Sequence, residues 1–375
     1  MRPTRAIVDL GALARNCQAL TAFLEQTAAV SGRRAPRVIA VVKADGYGHG
    51  AARVARALAA AGAPMFAVAD VGEGVELREA GITRPILVLG AVAAGPVAGI
   101  FEHRLIPTVA APEAAAELAA AAATRGVRVP CHVKIDTGMH RFGLRSDGLR
   151  DTLPTVLAHA AIEVTGVYTQ FATADDFEHP LYDEQRARFD EALRTCAALG
   201  VTGAMRHAAK SGALLRDERV WFDAVRPGLL LYGVVPPPGF TTLPLEPVMS
   251  LHSRVVAVKG LRPGDHVGYG ARYTAAGDQV VAIVPAGYTD GIDTRLANRG
   301  VALVRGRRVP VIGSVCMDSM MLDVTGHDVT PGDEVVIVGR QGEEEIGVRE
   351  VAATVGTHPW ELLCRLGPRI EREYV

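Results

Sequence analysis

Apolar residues along the chain alternate between short strand-like runs and stretches in which they recur every three or four positions. The runs fall at 38–42, 65–69, 85–89, 105–109, 129–135, 164–169, 204–207 and 223–226. The run at 38–42, rich in β-branched residues and without polar alternation, predicts a strand buried on both faces, as parallel strands are. Between them the spacing is helical, most plainly over 181–199, where Leu181, Gln185, Phe189, Ala192, Leu193, Cys196 and Leu199 share one face. Upstream, Ala6-Ile7-Val8 reads as a short strand, followed by helical spacing at Leu10, Leu13, Cys17, Leu20 and Leu24. Eight βα units within roughly 200 residues predict a (β/α)8 barrel. A doubly wound sheet is the competing layout, but it rarely needs eight repeats of such even length.

The pattern changes near 234–248, where Pro236-Pro237-Pro238-Gly239 is followed by Pro244 and Pro247. Consecutive prolines favour an extended spacer, which puts a boundary here, with a barrel over 1–235 and a second domain over 236–375. Helical periodicity is lost beyond it. Strands are predicted at Leu251–Val258, His266–Tyr273, Gln279–Pro285, Val301–Val304, Val309–Ile312, Met320–Val324 and Glu334–Val338, separated by Pro-Gly-Asp turns. The second domain should be all-β, with one short helix near Val348–Thr354.

Composition narrows the function. Among 375 residues, 49% are hydrophobic and 22% charged, as in a soluble enzyme. With 40 basic and 41 acidic residues and no basic stripe, neither nucleic acid nor a membrane surface is an expected partner. The first residues lack the apolar core of a signal peptide, and the Ala-rich stretch Ala110–Ala123 carries Glu113 and Glu117. Five scattered cysteines without CxxC spacing suggest buried thiols and no zinc site. A cytoplasmic enzyme is expected.

Unusual residues fall where barrels place chemistry, at the C-terminal ends of strands. Lys43 follows the first predicted strand and precedes Ala44-Asp45-Gly46-Tyr47-Gly48-His49-Gly50. Lys134, Asp136 and Arg141 sit on or past the fifth, Gln170 ends the sixth, Lys210-Ser211-Gly212 follows the seventh and Arg226-Pro227-Gly228-Leu229 the eighth. Barrel phosphate sites are built from the last two of these loops, so Ser211 and the backbone at Gly228 are candidate anion donors. Any one of these is equally explained as a solvated side chain or a turn glycine. Their shared rim is what favours a site.

Ala40–Gly50 resembles the cofactor-lysine motif of alanine racemases, the barrel-type pyridoxal phosphate enzymes. Further matching blocks are Lys134–Arg141, Tyr168–Asp175, Val225–Gly228, Gly268–Ala271, Gly287–Gly291 and Val315–Asp318. They occur in order and span both domains, so the resemblance covers essentially the whole chain. It implies that Lys43 holds pyridoxal 5′-phosphate as a Schiff base and serves as one general base. Tyr269 is implied as the second, on the opposite face of the amino-acid substrate and contributed by a partner subunit. A racemase needs bases on both faces, because it must remove the α-proton from either enantiomer. Arg226 matches the arginine facing the pyridine nitrogen, and an always-charged partner there weakens the cofactor as an electron sink. Arg141 is implied to bind the substrate carboxylate, with Lys134 matching a lysine that is often carbamylated to orient it. Tyr47, Ser211, Gly228 and Leu229 match phosphate-binding positions. Tyr288, Met317 and Asp318 match residues that the partner's second domain brings to the substrate entrance. A head-to-tail homodimer with composite sites follows.

The chain departs from this pattern in three places. Gln170 stands where most relatives carry a histidine linked to the pyridine-facing arginine, and Lys210 where asparagine is usual. Leu366-Gly367-Pro368-Arg369 lacks a tyrosine that in some relatives reaches the phosphate. Interconversion of L- and D-alanine for peptidoglycan is the expected function. Racemisation of serine, lysine or another amino acid is the nearest rival. Barrel-type decarboxylases lack a counterpart of Tyr269, and non-catalytic pyridoxal phosphate carriers lack the second domain.

Overall fold

A computed structural model describes residues 2–91 and 97–375, and the chain divides into two compact units. One comprises Leu13–Gly46 and Ala51–Leu245; the other gathers residues 2–12, 47–50 and 246–375. The N-terminal strand Arg5–Val8, contiguous in sequence with the barrel, thus belongs with the C-terminal unit.

The first unit is a closed parallel barrel. Its strands are Arg37–Val41, Met65–Val68, Ile86–Ala91, Ile106–Val109, Val129–Asp136, Ile162–Tyr168, Met205–Lys210 and Ala224–Arg226. Each pairs in parallel with its neighbours, and closure comes from the first against the eighth, Val38 opposite Val225. All eight predicted runs become barrel strands. They were readable because a strand covered on both faces leaves no room for solvated residues: Val38, Ile39, Ala40 and Val41 are all at most 6% exposed. Helix Leu181–Ala198 buries Gln185, Phe189, Ala192 and Cys196 as the spacing predicts, and adds Tyr182. Arg226 and Lys210 are the last residues of their strands, paired with each other in register, and not the first residues of the loops.

The second unit is built on a ten-stranded, mostly antiparallel sheet. Its path runs Ala257–Leu261, Gln279–Val284, Met320–Asp323, Arg307–Ile312, Val301–Val304, Glu334–Gln341, Met249–Arg254, Arg5–Val8 and Glu371–Tyr374, with Glu344–Ile346 paired to Glu334–Gln341. The last pair on the path, Arg5–Val8 with Glu371–Tyr374, is parallel and brings the chain's two ends together.

Two predicted strands are corrected. Leu251–Val258 is two strands, which join the sheet at separate places after a break at Val255 and Val256. His266–Tyr273 is a loop closed by a single bridge, His266 to Thr274. Gly268 and Gly270, both at φ 73°, put the tyrosine between them on a 3-10 turn that a ladder cannot accommodate. Beside the expected helix, Val348–Val355, the unit has a second at Pro359–Cys364.

Candidate active site

Lys43 begins a turn of unusual handedness. Ala44, Asp45 and Gly46 have φ of 54°, 52° and 61°, all left-handed. For residues with a Cβ this conformation costs about 1–2 kcal/mol each, so contacts must hold it. Three do. Ala44 N donates to Glu73 Oε1 at 2.7 Å, Ala51 N to Asp45 Oδ1 at 2.7 Å, and Gly46 N to Val42 O at 2.9 Å.

The glycines that follow answer a different demand. Segment 47–50 belongs to the second unit, where the C-terminal residues grip it. A Cβ on Gly48 would lie 2.2 Å from Leu363 O, and one on Gly50 would lie 1.9 Å from Tyr374 Oη. With φ of 81° and 90°, both positions admit glycine alone.

Within the barrel, Arg226 is 3% exposed and heavily hydrogen-bonded. Nη2 donates to Thr169 O at 2.7 Å, to Gln170 Oε1 at 2.9 Å and to Ala208 O at 3.0 Å. Nη1 donates to His207 Nδ1 at 2.7 Å, and His207 Nε2 lies 2.8 Å from His132 Nδ1. A guanidinium has no acceptor, so His207 Nδ1 must accept, which leaves its proton on Nε2 to donate to His132 Nδ1. Both imidazoles are therefore neutral. Burial drives the same outcome, reinforced by the positive charge of Arg226: the His132 pKa is pushed down to about 3 and that of His207 well below its ordinary value. Tyr168 stacks on His207 at 4.7 Å and hydrogen-bonds Thr108 Oγ1 at 2.9 Å. The Gln170 side chain thus reaches the arginine that the resemblance pairs with a histidine, as an acceptor that cannot take up a proton.

Neutral buried histidines make stability pH-dependent. Their folded-state pKa lies below the unfolded value near 6.5, so the unfolded chain binds more protons between pH 6.5 and about 3. Stability is full above that window and falls as pH drops through it. In His132→Asn, the loss of Tm between ~pH 7 and ~pH 4.5 is expected to be smaller than in wild type. Equal losses in the two proteins would show that the pair protonates without cost.

Lys134 is 4% exposed, and its ammonium faces the rings of Phe142 at 5.4 Å and Tyr168 at 5.8 Å. Burial lowers its pKa to about 8, helped by Arg141, Arg226 and Lys43 and opposed by Asp136. Three barrel cations, Arg141, Arg226 and Lys43, therefore act on Lys134 at the strands' C-terminal ends. Asp136 is occupied with its own turn, accepting from the backbone N–H of Gly138, Met139 and His140 at 3.0–3.1 Å. Gly228 N donates to Ser211 Oγ at 3.1 Å, joining the loops after the seventh and eighth strands. Both Ser211 and Leu229 are buried. Lys210 pairs with Asp175 Oδ2, so its charge is neutralised beside Ser211.

In the second unit, Tyr269 is 79% exposed on its turn, which Ser314 Oγ holds by donating to Tyr269 O at 2.7 Å. Tyr269, Tyr288, Met317 and Asp318 line one cleft of about 640 Å³. Two loops are zipped together there, Tyr288 N to Cys316 O at 3.0 Å and Thr289 N to Met317 O at 3.2 Å. The fully buried Asp290 braces them, accepting from Gly287 N at 3.0 Å and from Arg2 Nη2 at 2.8 Å. Arg369 adds bonds to Thr289 Oγ1 and Asp318 Oδ1, each 2.7 Å.

The structure therefore gathers Lys43, Lys134, Arg141, Arg226, Ser211, Gly228 and Gln170 in the barrel unit, and Tyr269, Tyr288, Met317 and Asp318 in the sheet unit. Sequence reasoning missed His132, His207 and Glu73. The two histidines left a signal, being polar residues inside otherwise apolar strands; Glu73 left none beyond a helix start.

Comparison with known proteins agrees with this architecture. The family model for the alanine racemase N-terminal domain matches residues 8–236, and that for the C-terminal domain matches 248–374. An alanine racemase of Symbiobacterium thermophilum is 41% identical over 376 residues, covering 100% of this chain and 97% of the relative. One from Sorangium cellulosum is 41% identical over 385 residues, covering 100% and 99%. Among solved structures, the alanine racemase of D-cycloserine-producing Streptomyces lavendulae aligns with a TM-score of 0.93 at 34% identity, covering 100% of this chain and 97% of that one. That of Bacillus anthracis with bound L-Ala-P aligns at 0.89 and 34%, covering 100% and 95%. By sequence along its whole length and by fold in both units, the chain belongs to the alanine racemase family of amino-acid isomerases.

Proposed function

We propose that the protein interconverts L- and D-alanine with pyridoxal 5′-phosphate as cofactor, using Lys43 and Tyr269 as bases in a site shared by two subunits. The observation that carries this reading is the convergence of three cations, Lys43, Arg141 and Arg226, around the buried Lys134 at the barrel's C-terminal rim. Such a cluster suits two anions, a cofactor phosphate and a substrate carboxylate. The residues fit the cofactor in detail. Lys43 would hold it covalently. Ser211 Oγ accepts from Gly228 N and so keeps its own hydrogen for a phosphate oxygen, beside the Gly228-Leu229 backbone. Arg226 commits one of the two Nη1 hydrogens to His207 and can only donate to a pyridine nitrogen, which then stays unprotonated. Gln170 cannot relay a proton to that position.

When bound, pyridoxal phosphate supplies the electron sink that makes the substrate α-proton removable. The chain supplies everything else. Arg141 orients the carboxylate. Lys43 Nζ exchanges the α-proton on one face and Tyr269 Oη of a second copy on the other, so a proton lost to either base is replaced by the opposite one. Tyr288, Met317 and Asp318 of that copy would narrow the entrance and set the side-chain size admitted. The exposed Tyr269, Tyr288 and Met317, 79%, 44% and 52% accessible, support a face that a second subunit covers. In a bacterial cell the product would serve peptidoglycan synthesis, in the cytoplasm.

Lys134 would orient Arg141 as a carbamate. Its neutral amine attacks the carbon of CO2, forming an N–C bond and releasing one proton, and a pKa near 8 keeps neutral amine available. Intact mass in bicarbonate buffer should exceed the sequence mass by one CO2, an increment that Lys134→Ala abolishes.

The test of function is to incubate L-amino acids one at a time with the holoenzyme and assay the D-form. Alanine should be the preferred substrate. Faster turnover of serine or lysine would move the reading to the broader racemases, and no D-product from any of them would end it.

A further inference from the structure

We infer that Glu73 is a positioning residue for Lys43, clamping the left-handed turn that aims the lysine and setting a negative charge against it. This rests on the reading of Lys43 as the reacting amine. Glu73 lies in the first turn of helix Val71–Glu79, whose N-cap Asp70 accepts from Glu73 N at 3.0 Å. A glutamate there ordinarily turns back to the start of its own helix. One oxygen does: Glu73 Oε2 accepts from Ala69 N at 2.6 Å. The other reaches 29 residues back along the chain, to Ala44 N at 2.7 Å. Helix capping requires no such second bond.

Ala69 directly follows the strand Met65–Val68, and Ala44 directly follows Lys43 beyond the strand Arg37–Val41. One carboxylate therefore ties the ends of two adjacent barrel strands. The bond to Ala44 falls on the first of five consecutive residues with positive φ, Ala44 to Gly48. Releasing it frees the peptide after Lys43 to relax toward ordinary φ, and the side chain would turn with it.

Charge adds to geometry. Burial raises the Glu73 pKa, the two backbone N–H groups and Lys43 lower it, and Asp70 raises it. Lys43 in turn faces the cation Lys134. Glu73 is thus a carboxylate whose charge acts on Lys43, countering that of Lys134.

The experiment uses full-length wild type, Glu73→Gln and Glu73→Asp, each as holoenzyme and after cofactor removal. Gln keeps the size but loses the charge and one of the two acceptors. Asp keeps the charge but is one methylene too short to span both N–H groups. For Gln we expect kcat to fall about tenfold with KM within about twofold, because a misaimed base slows proton transfer more than it weakens binding. In the cofactor-free protein, trapping of Lys43 by pyridoxal 5′-phosphate and cyanoborohydride should show its pH midpoint lowered by about half a unit in Gln, since the neutral amine is favoured once the anion is gone. Asp should lose kcat while keeping the wild-type midpoint.

Wild-type kcat in folded Gln or Asp overturns the inference. So does a Gln variant whose Tm drops while its midpoint stays put, the signature of a purely structural clamp. If Gln does not fold, kcat of the Asp variant decides alone. The wild-type control separates the two levels: no chromophore or racemisation there overturns the function, whereas an active wild type with unaffected variants overturns the role of Glu73 only.

Discussion

Lys43→Ala is expected to lower racemisation of alanine by about 10⁴-fold or more and to remove the cofactor chromophore. Both follow from one cause. Without Nζ the cofactor has no covalent tether and one face of the substrate has no base. A 10⁴-fold loss corresponds to about 5.5 kcal/mol of transition-state stabilisation. The variant should fold, since Lys43 is half-buried and the turn is held through the backbone of Ala44 and Gly46 and the side chain of Asp45. Absorbance spectra and a coupled D-alanine assay measure the two effects together. A variant that retains both chromophore and turnover would remove Lys43 from the site.

The second large effect is expected of Tyr269→Phe, which deletes a single oxygen from an exposed ring and leaves packing intact. Racemisation should fall about 10²–10⁴-fold, the usual worth of a positioned base. Enantiomers have equal free energy, so kcat/KM must fall equally for L-to-D and D-to-L. The discriminating observation is α-hydrogen exchange in D2O: with Lys43 intact, one enantiomer should still exchange without inversion while the other stops. Unchanged rates in both directions, or equal loss of exchange from both enantiomers, would contradict the two-base reading. Mixing the variants tests the shared site. A heterodimer of Lys43→Ala with Tyr269→Phe has one doubly damaged site and one intact site, so random reassortment should restore about a quarter of wild-type activity. If both bases come from one chain, the mixture stays inactive.

Much of the barrel was readable because burial on both faces forces near-continuous apolar strands, and eight of them evenly spaced have few arrangements. Lys43, Lys134 and Arg226 stood out at or near the C-terminal ends of predicted strands, and Arg141 in the loop past the fifth. The loop at 266–273 was misread because Val267, Tyr269 and Tyr273 mimic strand alternation. Only the positive φ at Gly268 and Gly270 reveals the turn.

The N-terminal strand shows another limit. Ala6-Ile7-Val8 is plainly a strand from composition, yet its partners are Met249–Arg254 and Glu371–Tyr374, hundreds of positions away. Periodicity reports which side of a segment is buried; it carries no address for the surface that buries it.

By itself, then, the sequence determined the eight-strand repeat and the residue types available for chemistry. Its motifs also carried the family resemblance. Tertiary structure alone decided what those residues do to one another. Proton placement in the Arg226–His207–His132 chain depends on hydrogen-bond partners that converge from three strands, and no spacing rule encodes it. The turn after Lys43 is likewise held by an oxygen of Glu73, on the helix Val71–Glu79, 2.7 Å from Ala44 N. The physical reason is the same in both cases. Periodicity follows from local backbone geometry, whereas tautomer, charge state and direction follow from contacts between segments that only the fold brings together.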